Sequence, residues 1–416
     1  MAGATRIAEL ANTIATQTKV VDDYLQSHNF STPSFGSDGP KTLPIPASET
    51  EITRARYQVI TCTEELNELM KGPTEVLWTR FHSSMADLLE IHFVQRFGIA
   101  KILPKDGSMS YDDLAKVTGL DRIDIERVLK RATLSHIFQE RNGEIIHTIA
   151  SRVLKEDQSM ADIAELFTEE AWPCFAKTVE ALDRFKGRQH IPQETGFSLA
   201  NNTPMGMYDF LLENPVRMER FAKAMSGFAA NEDFSLLLTG FDWTKVSTVV
   251  DVGGAHGPAS IELARAFPKL KCVVQDFEDV VAEGRLKVPT DVQNRIIFEA
   301  HDMFKTQKAT GADVFLFRAI FHNWSDIRCI EILRAHIGAL KTGAHILIND
   351  VVSLAPEVTP PWADKKTRTM DLTMLAFFGS RERTSMDWID LIKEASPRFQ
   401  INIIGPPSHL IEITWI

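Results

Sequence analysis

The chain opens in helical rhythm. Ile7, Leu10, Ile14 and Val20 return on one side of residues 1–28, the spacing of an amphipathic helix. The rhythm stops over residues 28–49, where prolines, glycines and serines follow one another as in an extended arm or linker. Helical pattern resumes over 51–69 and 76–97, and the second stretch is apolar on so many faces that burial is expected. Ser110 then stands where it can cap a short helix with Asp113 in its first turn. Gly119 ends that helix, and Asp121 opens another carrying Ile125, Val128 and Leu129. Asn142-Gly143 between β-prone runs is a hairpin signal, so the order is helix, turn, helix, hairpin: that of a winged helix. More helices follow through 155–235, including the run PVRMERFAKAMSGFAAN. From Trp243 the pattern changes to short β-branched or aromatic runs at 246–250, 272–275, 296–298, 314–317, 346–348 and 401–404, with a last strand in the final ITWI. Helical stretches separate them, which predicts a mostly parallel sheet covered on both faces. Three segments result: an arm over 1–49, a helical region over 50–235 and an α/β domain over 236–416.

Length and charge narrow the function. A chain of 416 residues exceeds one ordinary core, and two domains are expected. The net charge of −11 repels phosphate backbones. A winged helix that reads DNA needs a basic recognition helix and a basic surround, and here Lys130 and Arg131 lie in an acidic protein, so a structural or dimer-forming role is expected and no nucleic-acid partner. No run of about 18 apolar residues occurs, which excludes a membrane-spanning helix, and the N-terminus lacks the charged-then-apolar order of a signal peptide. Cys62, Cys174, Cys272 and Cys329 are scattered, without the clustering of a zinc site or disulfide framework. Free thiols in a reducing, cytoplasmic setting and no metal are the expectation.

The sharpest local chemistry lies in TVVDVGGAHGPASIELARAFP. An apolar strand ends at Asp251, a glycine turn follows, and a helix begins near Pro258. Gly253, Gly254 and Gly257 allow the tight bend and a close backbone approach to a ligand, whose anionic part would sit at the helix N-terminus. A tight strand–helix turn needs glycine with or without a cofactor, so the turn alone leaves both uses open. An acidic residue closing the next strand about 20 residues on would bind ribose hydroxyls, and Asp276 in VVQDF stands near that interval.

Four elements in order, Asp251-Val-Gly-Gly-Ala-His-Gly, Gln275-Asp276-Phe277, His301-Asp302-Met303-Phe304 and Phe321-His322-Asn323-Trp324-Ser325-Asp326, resemble the plant and fungal small-molecule O-methyltransferases over roughly residues 50–416. The resemblance implies a Rossmann-like, doubly wound methyltransferase domain preceded by a mainly α-helical winged-helix domain, and a homodimer. It implies S-adenosylmethionine as cofactor, with Asp251, Gly253, Gly254 and Gly257 in the turn, Asp276 at the ribose, Asp302 and Met303 at the adenine, and Arg318 in contact. The sequence departs from the family at Ala255 and His256, where glycine and threonine are usual, at Arg318 for lysine, and at Asn323 for aspartate.

Methyl transfer to oxygen needs the acceptor hydroxyl to lose its proton. His322 has the chemistry for it, because imidazole titrates near neutral pH. By resemblance Asp350 and Glu382 orient that imidazole, Asp350 replacing the commoner glutamate with one methylene less of reach. The resemblance also implies that Phe221 and Met225, with Phe228 at helical spacing, line an acceptor cavity. Met374, Phe377 and Phe378 form a second apolar set, and either set serves equally as core packing. Together they favour a flat, apolar, aromatic or polyketide-like small molecule. The alternative function is a methyltransferase-like lyase or isomerase, a pericyclase or dehydratase that uses the sulfonium charge without methyl transfer. His136, read as lying on the helix ERVLKRATLSHIF, and Arg318 are its candidate groups.

Overall fold

The computed structural model describes residues 4–46, 48–186, 191–230, 233–353, 361–404 and 410–416. The chain forms two compact units that interleave along the sequence. The first comprises Met1–Trp172, Val216–Phe228 and Pro360–Trp362; the second comprises Pro173–Pro215, Ala229–Thr359 and Ala363–Ile416.

In the first unit the helix Arg6–Ser27 buries Leu10 and Leu25, while Ile7 remains exposed. It lies along the helix Thr50–Arg96, and the Arg6 guanidinium donates to Glu65 at 2.7 Å. The longer helix is broken where the sequence pattern lapses. Gly72 takes a left-handed φ of 74° and Pro73 follows it. The burial expected for 76–97 does not occur within the chain. Glu90 and Val94 turn inward, whereas Leu77, Trp78, Phe81, Met85, Leu88 and Leu89 are exposed, because one unit supplies cover for only one side of a helix.

The winged region follows its capping signals. Strand β1 (Ser108–Ser110) leads into the helix Tyr111–Thr118, whose N-cap Ser110 accepts the Asp113 N–H and whose C-cap Gly119 is left-handed at φ 73°. Asp121 caps the helix Arg122–Leu134 by accepting the Ile123 N–H. Strands β2 (Phe138–Arg141) and β3 (Glu144–His147) are joined through Asn142 and Gly143, both at positive φ, as a primed hairpin turn requires. The sheet order is β1-β3-β2, and Leu114, Ile125, Leu129, Phe138 and Ile145 pack between sheet and helices. The helix ends at Leu134, so His136 is not on a helix face. It sits in the turn beyond, at φ 57°, with its ring stacked on Phe35 of the arm at 3.9 Å.

The second unit is built on a seven-stranded sheet. Its strands β4 (Thr248–Val252), β5 (Lys271–Asp276), β6 (Ile296–Ala300), β7 (Val314–Arg318) and β8 (His345–Asn349) are parallel. Two short strands, β9 (Val352–Ser353) and β10 (Arg383–Thr384), pair parallel to each other beside it. β11 (Phe399–Ile403) and β12 (Ile411–Trp415) form an antiparallel edge, in the order β11-β12-β8-β7-β4-β5-β6. Successive side chains face opposite ways. Val250, Phe315 and Phe317 pack with Leu333 and Trp388 on one face, while Val249, Val314 and Leu316 pack with Leu263 and Val281 on the other. The strand order reverses between β4 and β7, and a crevice at such a switch point, at the carboxyl ends of the strands, is where ligands bind in this architecture.

Candidate active site

The turn after β4 is held by backbone. The N–H groups of Gly253 and Gly254 both donate to the Gln275 carbonyl, at 2.7 and 3.2 Å, which draws the turn over the end of β5. Gly253 is left-handed at φ 71°, and a Cβ there would stand 2.5 Å from Ile320 Cδ1. A Cβ on Gly254 would meet the Asp251 carboxyl carbon at 2.7 Å. Gly257, at φ 78°, is the N-cap of the helix Pro258–Ala266. The turn therefore has no room for a side chain at Gly253 or Gly254 and presents a helix N-terminus to the crevice. Ala255 takes the left-handed conformation without being glycine, at φ 49°. Asp251 is buried and accepts the Ser260 hydroxyl at 2.7 Å; burial pushes its carboxyl up to about 6, with that bond pulling the other way.

Asp276 closes β5 and faces the turn. Its carboxylate accepts the Ala255 N–H at 2.9 Å and the Phe277 N–H at 2.8 Å. Burial raises its pKa, and these two donors oppose the rise. The backbone of His301 donates to the Asp276 carbonyl at 3.0 Å, which seats the segment bearing Asp302 and Met303 beside it. Asp302 accepts the Phe304 N–H at 2.9 Å, and Met303 packs on the core. Arg318, at the end of β7, lies over the Phe234 ring at 4.6 Å. A glycine-rich turn, a strand-end carboxylate and a loop brought next to it fit an adenosyl group with an amino-acid tail.

A second cluster stands past β7. His322 lies in the single turn Phe321–Asn323, and its Nδ1 is 3.0 Å from Glu382 Oε1. The other carboxylate oxygen of Glu382, Oε2, is buried with no partner among the described residues. Asp350 takes a different part from the one expected of it. Its oxygens accept the backbone N–H groups of Ile320 at 3.2 Å and His322 at 3.1 Å, so it grips the loop and not the ring. Its short side chain reaches the backbone at the foot of the imidazole. The Ser380 hydroxyl donates to the His322 carbonyl. Burial pulls the imidazole pKa down, but the Glu382 bond and the charges of Asp350 and Glu382 outweigh it, and the net direction is up. Asp350 is itself raised by burial, which His322 opposes. The His322 side chain keeps 16% of its accessible surface and Glu382 only 1%, so the imidazole alone meets the crevice.

The other named residues divide between the units. Met374, Phe377 and Phe378 are buried on the helix Pro361–Phe378 of the second unit. Phe221, Met225 and Phe228 are partly buried on the helix Pro215–Ala230, and Phe228 meets Phe167 edge-on at 6.3 Å. In the first unit that helix is tied down by Arg217 and Arg220, which both donate to buried Glu170. His136 belongs to the first unit, stacked on Phe35. One aromatic escaped notice in the sequence. Tyr208 stacks on Trp324, two residues after His322, at 5.6 Å and on Phe378 at 5.2 Å, and a lone tyrosine in MYDF gives no signal of it.

Fold and site together define a group-transfer enzyme that works with a nucleoside cofactor. The O-methyltransferase domain model matches residues 189–398. The chain is 36% identical over 421 residues to the grayanic acid biosynthesis cluster O-methyltransferase of Cladonia grayi, covering 98% of this chain and 88% of that one. It is 32% identical over 427 residues to the chlorophenol O-methyltransferase of Trichoderma longibrachiatum, covering 99% and 90%. Among solved structures, OxaC superposes with a TM-score of 0.80 at 19% identity, covering 98% of each chain. LepI in complex with S-adenosylmethionine gives a TM-score of 0.73 at 20% identity, covering 97% and 98%. The chain belongs to the O-methyltransferase family, and it is an S-adenosylmethionine-dependent enzyme of small-molecule methylation. Among the described residues no helix is long and apolar enough to cross a membrane, and all four cysteines are free thiols.

Proposed function

We propose that this enzyme methylates a hydroxyl group of an apolar, aromatic or polyketide-like acceptor, with His322 as general base. The observation that carries the reading is the Glu382–His322 pair, in which Glu382 is buried and the imidazole keeps part of its surface. S-adenosylmethionine, when bound, supplies a methyl group activated by a positive sulfur. Asp251, Gly253, Gly254 and Gly257 with Asp276, Asp302, Met303 and Arg318 are the residues to hold it. His322 Nε2 accepts the acceptor's hydroxyl proton, since Nδ1 is committed to Glu382. Glu382 then faces an imidazolium, which its negative charge stabilises without taking the proton itself. Asp350 keeps the loop in place and adds a second negative charge. Met374, Phe378 and Tyr208 supply the apolar, flat surfaces an aromatic ring requires, and Phe221, Met225 and Phe228 are further candidates for acceptor contact. The similarity to a chlorophenol O-methyltransferase supports a phenolic acceptor.

A homodimer is part of this reading. Trp78, Phe81, Met85 and Leu89 recur on one side of a helix and are exposed in the single chain, and a contiguous apolar stripe of this kind is what a second copy covers. A cytoplasmic setting accords with the free thiols.

The test is incubation of the protein with methyl-labelled S-adenosylmethionine and a panel of phenols and hydroxypyridones. Label in the product is expected, with kcat lowered about 10²- to 10⁴-fold in His322→Ala. Because the fold is shared with a structure described as a pericyclic reaction enzyme, product mass matters. A product of unchanged or dehydrated mass, formed without consuming the donor, overturns the reading.

A further inference from the structure

The loop that carries His322 is held by one buried cation. Arg383 is 1% exposed, and each of its three guanidinium nitrogens donates a hydrogen bond. Nη1 donates to the Phe321 carbonyl at 3.0 Å, Nη2 to the Trp324 carbonyl at 2.7 Å, and Nε to the Asp326 carboxylate at 2.9 Å. These partners lie immediately before and shortly after His322. The planar fork of arginine is the side chain that can reach three acceptors at once from a fixed geometry. The guanidinium also lies over the Trp388 ring, at 5.3 Å, in the core under the sheet. Strand β10 fixes its position, pairing Arg383 with Val352 two residues beyond Asp350. The adjacent pair Glu382-Arg383 therefore delivers the carboxylate that meets the imidazole and the cation that meets its backbone.

We propose that Arg383 is a positioning residue for methyl transfer, fixing where the His322 imidazole stands and balancing the two carboxylates around it. This rests on the reading of His322 as the base. A merely structural arginine would serve as well facing any loop, but this one adds a positive charge next to Glu382 and Asp350. Among the described residues, the charged groups around His322 are those three, with Asp326 and Arg381 paired beyond the loop and Asp371 accepting the Glu382 backbone N–H. Arg383 opposes the rise in the His322 pKa that the carboxylates cause, and it likewise pulls Asp350 down. Without its charge, His322 holds its proton to higher pH.

Two variants separate grip from charge. Arg383→Lys keeps the charge and loses the fork; Arg383→Gln keeps hydrogen bonding and loses the charge. Their kcat/KM against pH, the titration of the His322 ring by NMR, and the binding of S-adenosylhomocysteine by calorimetry are the measurements. Both variants are expected to lower kcat by about 10- to 100-fold. Binding of S-adenosylhomocysteine should stay within about threefold, because nothing in the donor turn touches Arg383. In Arg383→Gln alone, the His322 titration and the acid limb of kcat/KM should both move up by about one pH unit. A folded Arg383→Gln whose His322 titration stays in place overturns the role of Arg383. A titration that moves while the acid limb does not overturns His322 as base instead. Where Arg383→Gln loses its cooperative unfolding, Arg383→Lys decides, and a kcat equal to that of the parent overturns the proposal.

Discussion

The two halves of the proposed active site are made of different materials. The donor turn after β4 consists of backbone: N–H groups, carbonyls and the absence of Cβ atoms at Gly253, Gly254 and Gly257. The base cluster after β7 consists of side-chain charge: an imidazole, two carboxylates and a guanidinium gathered from residues 322, 350, 382 and 383. The backbone of the turn answers to conformation and does not titrate, the raised carboxyls of Asp251 and Asp276 beside it being the groups that do. The charge cluster answers to pH as well as to geometry.

Three substitutions probe this contrast. The largest effect is expected from Glu382→Gln, which removes the charge and the strong hydrogen bond that together raise the His322 pKa. kcat should fall by about 100-fold, because the forming imidazolium loses its counter-charge. With burial then less opposed, the His322 pKa falls and the acid limb of the pH–rate profile moves to lower pH; S-adenosylhomocysteine binding should be unaffected. A profile that does not move would deny that the two residues are coupled. Gly253→Ala comes next. A left-handed alanine costs about 1–2 kcal/mol, and its Cβ presses on Ile320. If the turn relaxes in the free enzyme to avoid this, calorimetry should read roughly tenfold weaker cofactor binding with an unchanged pH profile. The smallest effect, of opposite sign, is expected at Ala255→Gly. Relief of the left-handed strain, less the added freedom of the unfolded chain, should stabilise the protein by up to about 1 kcal/mol, seen as a higher urea midpoint.

The contrast also accounts for what could be read from the chain. A turn made of backbone announces itself, because only certain residues adopt its conformations and they must be contiguous. The parallel strands were legible for a related reason, since burial on both faces demands uninterrupted apolar runs. The base cluster joins four distant segments, and no local pattern aligns Glu382 with His322; family resemblance did that. Resemblance in turn could not show that Asp350 would hold the backbone while Glu382 held the ring, for a difference of one methylene decides which atom is reached. Tyr208 and Arg383 were silent for the same reason. The helical pattern over 76–97 correctly showed apolar faces, but whether a face is covered by its own chain or by another is not encoded in periodicity. Nothing in TLSHIF breaks a helix; the cap at Ser135 and the left-handed residue after it go with contacts made later in the chain, where the Thr148 hydroxyl lies 2.6 Å from the Ile137 carbonyl and 2.9 Å from that of His136.

The break at Gly72-Pro73 divides one long rod into two lengths whose rotations about their axes are independent. Inserting a residue within either length would turn every later side chain of that length by about 100° and scramble its stripe. The same insertion at the joint is absorbed by a residue already outside the helical conformation. Loss or gain of residues there leaves the stripes of both lengths intact, so the joint is where the reach of this helix can change without rebuilding either surface.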